Sequence, residues 1–253
     1  MLEYLLMINN NWVLWNEFSP LKTDEVHVWC ADLVLPEEKI EQLFNLLSAD
    51  ERQRAQRFYF PRDRARFIAA RAILRKLLSQ YSQISAEQLQ FQYNAHGKPE
   101  LIQAPNLQFN LSHANTKALI AVTYAPTVGV DVEYCEKELD IEGIAERFFT
   151  ANEYQIIKNL TGSAKKQAFF TGWVRKEAFL KALGEGLAYS LAKVEVTLLP
   201  HEPARIIALY DAAQSSADWS MFVLPKITGY AAALVVKQAA LKVITRQWDF
   251  CMG

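Results

Sequence analysis

The apolar positions of the chain recur with two different periods, and each period predicts one kind of element. A spacing of three and four residues predicts helices over 37–47, 64–81, 141–149, 151–160 and 165–183. Alternation and β-branched runs predict strands over 26–35, 89–93, 98–102, 109–111, 118–124, 128–134, 194–199, 205–210, 219–224 and 230–236. The tail, 237–253, shows no clear pattern. This mixture indicates an α+β fold.

The order of these elements repeats along the chain. A helix, a strand pair and the strand at 118–122 fill the first half, and the same series ends at 232–236, roughly 110 residues later. The repeat predicts two similar α/β subdomains, residues 1–125 and 126–253. A cleft between such halves is a common ligand site.

Composition limits the classes of protein to consider. A hydrophobic fraction of 51% with 12% aromatic residues excludes a disordered chain. The net charge of −1 gives no support to a nucleic-acid partner. Cys30, Cys135 and Cys251 form no CxxC pair and indicate free thiols in a reducing compartment. Without a signal-peptide pattern or a membrane-length apolar run, we expect a cytoplasmic protein that does not contact the membrane.

The segment Val-Gly-Val-Asp-Val-Glu-Tyr at 128–134 carries the first chemical signal. On a strand, Asp131 and Glu133 point to the same face, about 7 Å apart along the backbone. The simpler alternative is a half-exposed strand whose acids face water. Gly129 permits close approach of another backbone at this strand.

A second acidic motif, at 173–184, lies on the longest predicted helix. Glu177 and Lys181 share one helix face, which is also the spacing of an ordinary solvated ion pair. The apolar neighbours on this helix mean that the charged group faces either solvent or a lined cleft. Three convergent carboxylates beside a lysine would suit a divalent cation and a phosphorylated substrate.

Three further groups carry weaker signals. Ser112 and His113 lie in a predicted polar turn, 112–116, where a phosphate contact and a histidine without special duty are both open. A hydrolase nucleophile is disfavoured because no Gly-x-Ser-x-Gly elbow is present. Lys98 follows a hairpin turn. Arg64, Arg71 and Arg75 form one helical stripe, either a solvated face or a surface for a polyanion.

Five motifs in order resemble the Sfp-type 4′-phosphopantetheinyl transferases. Two of them are the Gly-x-Asp-x-Glu strand at 129–133 and the Trp-x-x-Lys-Glu-Ala-x-x-Lys-x-x-Gly helix at 173–184. The other three are the segments Gly-Lys-Pro at 97–99, Phe-Asn-Leu-Ser-His at 109–113 and Arg-Phe-Phe at 147–149. The resemblance covers roughly residues 50–235. The first twenty and last fifteen residues have no assigned counterpart.

The resemblance implies two subdomains in a pseudo-twofold arrangement with coenzyme A between them. The implied reaction moves the phosphopantetheine arm of coenzyme A to a serine of an apo acyl or peptidyl carrier protein and releases adenosine 3′,5′-bisphosphate. Asp131, Glu133 and Glu177 would hold Mg²⁺. Glu177 would also accept the serine proton, directly or through water, and Lys181 would stabilise the pyrophosphate or the leaving bisphosphate.

The resemblance also implies a set of residues that contact coenzyme A: Arg66, Arg71, Lys98, Ser112, His113 and Lys181. A monomer is the natural expectation for two fused halves. Two other functions stay open on the residues alone. One is a metal-dependent nucleotide phosphoesterase, and the other is a protein that binds coenzyme A or a carrier without catalysis.

Overall fold

A computed structural model describes residues 11–14, 18–186, 189–211, 215–239 and 241–250. Its helices are α1 Glu37–Phe44, α2 Ala49–Gln56, α3 Pro61–Ser82, α4 Ile141–Phe148, α5 Ala151–Asn159 and α6 Gly162–Leu183. Its strands are β1 Val13–Leu14, β2 Glu25–Asp32, β3 Phe91–Tyr93, β4 Pro99–Leu101, β5 Gln108–Ala114, β6 Lys117–Thr123, β7 Val128–Tyr134, β8 Val194–Val196, β9 Ile206–Leu209, β10 Ser220–Val223, β11 Tyr230–Val236 and β12 Lys242–Gln247. The predicted α+β class is confirmed.

The larger sheets show the repeat expected from the order of elements. In the first half β2 pairs with β6 and β6 with β5, all antiparallel. In the second half β7 pairs with β11 and β11 with β10 in the same antiparallel order. Each half also has a helix of 22 residues, α3 or α6, followed by a strand pair, β3–β4 or β8–β9. The subdomain boundary at 125/126 stays a prediction.

Packing joins the two sheets at their apolar faces. One core cluster surrounds α3 and another surrounds α6. A third contains Val28 and Leu119 of the first sheet together with Val130 and Leu234 of the second. Since β5 and β6 both contact β7, residues of the first half lie directly beside the acidic strand of the second.

The structure corrects two predicted elements. Ser112 and His113 lie within β5, so the predicted turn over 112–116 is wrong. The pairing of Ala114 with Lys117 leaves a two-residue turn at Asn115 and Thr116, and Asn115 has the positive φ, 47°, that such turns need. The tail contains β12, which pairs in parallel with β2 and so adds a late segment to the sheet of the first half.

Capping residues mark the ends of several helices. Ser48 and Thr150 open α2 and α5 in capping boxes with Glu51 and Glu153. Gly184 ends α6 in the left-handed region, with φ 78°. Cys30 and Cys135 are free thiols, and Cys251 lies outside the described residues.

None of the helices that the structure describes combines the length and the apolar character needed to cross a membrane.

Gly129 is the point of closest approach between β7 and α6. A methyl group at this position would lie 2.9 Å from the Cα of Ala182 and closer still to the carbonyl oxygen of Ala178. Both neighbours are helix backbone, which cannot rotate away. The predicted close approach at Gly129 is therefore confirmed, and it brings α6 onto the face of β7 that also carries Asp131 and Glu133.

We expect Gly129→Ala to destabilise the protein by about 3 kcal/mol or more, because the added carbon forces α6 away from β7. The free energy of unfolding in urea measures the change. Gly162→Ala is the control, since its added carbon meets nothing within 4 Å. Its cost should be only the left-handed strain, about 1–2 kcal/mol. Equal losses for the two variants would contradict the close-approach explanation.

Candidate active site

Three polar side chains from three elements meet where the two sheets adjoin. Ser112 Oγ on β5 donates to Asp131 Oδ1 on β7 at 2.8 Å. Lys181 Nζ on α6 donates to the same carboxylate oxygen at 2.6 Å and to Ser112 Oγ at 2.7 Å. The structure thus brings together residues that are 69 positions apart in the chain.

Asp131 is the most buried acid of this group, with only 3% of its surface exposed. Its second oxygen, Oδ2, is buried and has no hydrogen-bond partner among the described residues. Burial raises the pKa of Asp131, while the charge and hydrogen bond of Lys181 and the hydrogen bond of Ser112 oppose the rise. A buried carboxylate oxygen without a partner is costly, and a ligand that it could coordinate would offset this cost.

Glu133 and Glu177 complete the predicted acidic set. Glu133 is half-buried, and its Oε2 accepts a hydrogen bond from Lys137 Nζ at 2.7 Å. Burial raises the pKa of Glu177, and the charges of Asp131 and Glu133 add to the rise, which Lys181 opposes. The three carboxylates are therefore close enough to repel one another. The alternative in which the acids of β7 simply face water is wrong for Asp131.

The donor chemistry of this group fits a hard divalent cation. Carboxylate oxygens are the protein ligands that Mg²⁺ prefers, and Asp131 Oδ2 is available to it. Across the described ranges, however, no three His, Cys, Asp or Glu side chains stand in a ready metal-binding cluster. In this structure Lys181 and Lys137 pair with Asp131 and Glu133. A cation at these acids would displace those ammonium groups.

A basic group includes His113, Lys181 and Arg54. His113 lies on β5 with an exposed side chain, although protein atoms still displace part of its hydration. This loss of hydration lowers the pKa of His113, and the positive charges of Lys181 and Arg54 lower it further. Sequence reasoning missed Arg54, because nothing in the pattern of α2 distinguishes it from neighbouring arginines.

Arg54 also lines a cavity of about 670 Å³ together with Arg57, Phe58, Arg71 and Tyr93. The cavity combines aromatic surface with three arginines, and Asp50 and Glu51 also line it. Such a site suits a nucleotide that carries phosphate groups.

The arginine stripe on α3 is not a surface for a polyanion. Arg71 and Arg75 are buried, and their Nε atoms donate to Glu51 at 2.7 Å and 2.6 Å. Arg66 is half-buried and pairs with Asp63 at 3.6 Å. Neither alternative for the stripe, a solvated face or a surface for a polyanion, holds for Arg71 and Arg75, since both are buried and pair with Glu51 of the neighbouring helix.

Lys98 has a different environment from the one expected. Its ammonium group donates to Thr127 Oγ1 at 3.0 Å, Val128 O at 3.1 Å and Ala182 O at 3.0 Å. Burial lowers the pKa of Lys98 to about 8. In this structure its three N–H bonds connect β4 to the start of β7 and the end of α6, so a phosphate contact would require it to leave these oxygens.

Comparisons with known proteins agree with this geometry. Residues 127–235 match the 4′-phosphopantetheinyl transferase superfamily, and residues 36–125 match the family described as 4′-phosphopantetheinyl transferase, N-terminal. The chain is 39% identical to the 4′-phosphopantetheinyl transferase HetI of Nostoc sp., over 91% of this chain and 95% of that protein. It is 37% identical to psf-1 of Bacillus pumilus, over 64% of this chain and 68% of that one.

The transferase Sfp of Bacillus subtilis is 29% identical, over 66% of this chain and 73% of its own. The chain therefore belongs to the 4′-phosphopantetheinyl transferase superfamily. The family resemblance predicted from the sequence motifs is confirmed, and with it the enzyme class.

The repulsion among the acids generates a prediction for stability. Because the pKa of Glu177 is raised above its ordinary value of 4.5, its contribution to stability is complete below that value and is lost as the pH rises through the folded-state pKa. Without metal, Glu177→Gln should therefore raise the thermal midpoint at pH 8 and have little effect at pH 4. Thermal unfolding in chelator measures this difference.

The control is Glu136→Gln, on the exposed loop after β7. It should leave the midpoint nearly unchanged at both pH values. A midpoint for Glu177→Gln at or below that of the wild type at pH 8 would contradict the raised pKa of Glu177.

Proposed function

We propose that this chain transfers the phosphopantetheine arm of coenzyme A to a serine of an apo acyl or peptidyl carrier protein in a Mg²⁺-dependent reaction. The observation that carries the proposal is the buried Asp131, with one oxygen held by Lys181 and Ser112 and the other without a partner in the described part of the chain. A carboxylate in this state is prepared for a cation, and the adjacent basic residues suit phosphate groups.

Asp131, Glu133 and Glu177 are the proposed metal ligands. When bound, Mg²⁺ would neutralise negative charge on the pyrophosphate oxygens. Residues of the chain would neutralise the remaining negative charge. Lys181 pairs with Asp131 in this structure, and its ammonium could pair with a phosphate oxygen instead.

Glu177 is the proposed acceptor of the proton from the carrier serine, directly or through water. A general base works best when its pKa lies near the operating pH, and burial with neighbouring negative charge moves the pKa of Glu177 in that direction. Ser112 does not suit a nucleophile, because its Oγ is buried and donates to Asp131. It serves instead to orient the Asp131 carboxylate.

The proposed phosphate contacts are Lys181, His113 and Arg54. Their charges lie close enough together to lower the pKa of His113. Arg66 and Arg71 lie on the neighbouring helix, and Arg71 lines the cavity with Arg54. We place the adenosine bisphosphate part of coenzyme A at this cavity. A cytoplasmic monomer completes the proposal, supported by the cysteines without a pairing pattern and by two halves fused in one chain.

Removing either buried acid tests the reaction. With apo carrier protein, coenzyme A and Mg²⁺, the wild type should give a carrier heavier by one phosphopantetheine arm, and mass spectrometry detects it. Asp131→Ala and Glu177→Ala should lower kcat by about 100-fold or more, the scale of a lost general base or metal ligand. Glu136→Ala should retain activity. Bisphosphate release without a carrier would indicate a phosphoesterase instead, and full activity of both acid variants would refute the proposed site.

Arg54→Ala should raise the KM for coenzyme A by roughly 10- to 100-fold with a smaller change in kcat. The reason is the loss of a charge-assisted hydrogen bond to phosphate, about 1.5–3 kcal/mol. Steady-state kinetics with saturating carrier separates the two constants. Arg62→Ala is the matched control, since Arg62 is an exposed arginine beyond α2 and pairs with Asp63. An unchanged KM for Arg54→Ala would remove Arg54 from the coenzyme A site.

A further inference from the structure

A lysine without solvent contact directly precedes Glu177. Lys176 is 0% exposed, and its ammonium group lies 2.6 Å from Glu153 Oε2. It also donates to Leu191 O at 3.0 Å and to Val194 O. All three N–H bonds of the ammonium are used. A charge this deeply buried is expensive and is tolerated only with such partners.

Glu153 extends this contact to two further elements. Its Oε2 accepts from Thr150 N at 2.8 Å at the start of α5, and its Oε1 accepts from Val196 N at 2.8 Å on β8. The ion pair, which we call the Lys176–Glu153 brace, therefore joins α5, α6 and β8. The centre of the Phe149 ring lies 5.1 Å from the same ammonium, and this cation–π contact stabilises the buried charge further.

The brace and the acidic site share the same turn of α6. Successive helical residues point about 100° apart, so Lys176 is directed to α5 and β8 while Glu177 is directed towards the acids of β7. Any rotation or shift of α6 at Lys176 moves the carboxylate of Glu177. The brace thus has the position needed to set the direction of Glu177.

The first half of the chain contains a corresponding buried ion pair, Arg75–Glu51. Arg75 is the fifteenth residue of α3, as Lys176 is of α6. Arg75 binds Glu51, which holds the same capping-box position in α2 as Glu153 does in α5, and it donates to Ala86 O and Leu89 O. The residue after Arg75 is Lys76, whose charged neighbours are Lys39 and Glu87 rather than the acids of β7. Arg75 therefore provides an internal control for a brace without a catalytic neighbour.

We propose that Lys176 is a positioning residue that, through its pair with Glu153, holds Glu177 in place beside Asp131 and Glu133. The inference rests on the proposed function of those three acids. It assigns to Lys176 no contact with substrate or metal.

The test compares the double variant Lys176→Met/Glu153→Gln, which removes both buried charges at similar volume, with Arg75→Met. Four quantities are measured: kcat, the KM for coenzyme A, the affinity for Mg²⁺ by calorimetry with coenzyme A present, and the thermal midpoint. The double variant should lose about 10- to 100-fold in kcat and in Mg²⁺ affinity, the range for residues that orient metal ligands. Its KM for coenzyme A should change by less than about twofold.

Arg75→Met should lower the thermal midpoint yet keep the wild-type kcat and Mg²⁺ affinity. The proposal would be overturned if the double variant kept the wild-type kcat and Mg²⁺ affinity. It would also be overturned if Arg75→Met lost as much kcat and Mg²⁺ affinity as the double variant. If the double variant does not fold, Glu153→Gln alone decides, since it weakens the brace and leaves Lys176 in place. Glu153→Gln should lower kcat and the Mg²⁺ affinity severalfold, and unchanged values of these two quantities would again overturn the proposal.

Glu177→Ala, measured in parallel, separates this inference from the proposed function. An active Glu177→Ala variant would refute the function assigned to Glu177. An inactive one beside a fully active double variant would refute only the positioning by Lys176.

Discussion

The close contact between α6 and β7 determines the arrangement of the whole site. Gly129 lets the helix backbone approach the strand, and Asp131 and Glu133 follow on the same face at alternate positions. Glu177 and Lys181 on the helix then meet these acids without any loop between them. A site on two packed regular elements is held more precisely than one on loops, because packing fixes both backbones.

This contact brings together charges that would repel one another without compensation. Burial raises the pKa of Glu177, and the charges of Asp131 and Glu133 raise it further. Lys181 and Ser112 stabilise one oxygen of Asp131, whereas Oδ2 stays buried without a partner among the described residues. The arrangement costs stability in the metal-free protein. Such costs are typical of functional sites, where the ligand provides the missing interaction.

Sequence patterns were sufficient where one local rule determined the outcome. Alternation on β7 placed Asp131 and Glu133 on one face, and the i, i+4 spacing placed Lys181 beside Glu177. Most helices and strands also followed from their periodicity. These features depend on neighbours in the chain, so a single sequence contains them.

Long-range partners explain what the patterns could not show. In the sequence, Arg71 and Arg75 have the spacing of a solvated stripe. In the structure, Glu51 from another helix pairs with both. Ser112 reads as part of a turn because its strand is short and polar, and only the pairing with β6 assigns it to β5. β12 was missed because its sequence, Lys-Val-Ile-Thr-Arg-Gln, contains few apolar residues, and its pairing with β2 is what makes it a strand.

The repeat also explains why a chain with two similar halves has one acidic site. In the second half Asp131 pairs with Ala233, the fourth residue of β11. In the first half Trp29 pairs with Ile120, the fourth residue of β6, so Trp29 occupies the position equivalent to Asp131. Trp29 is buried in the core around α3, and its indole donates to Tyr81 at 2.9 Å. On the helices, Lys76 of α3 occupies the sixteenth position that Glu177 occupies in α6. A buried ion pair therefore anchors the long helix of each half, Arg75–Glu51 on α3 and Lys176–Glu153 on α6, whereas the positions of Asp131 and Glu177 are occupied in the first half by Trp29 and Lys76.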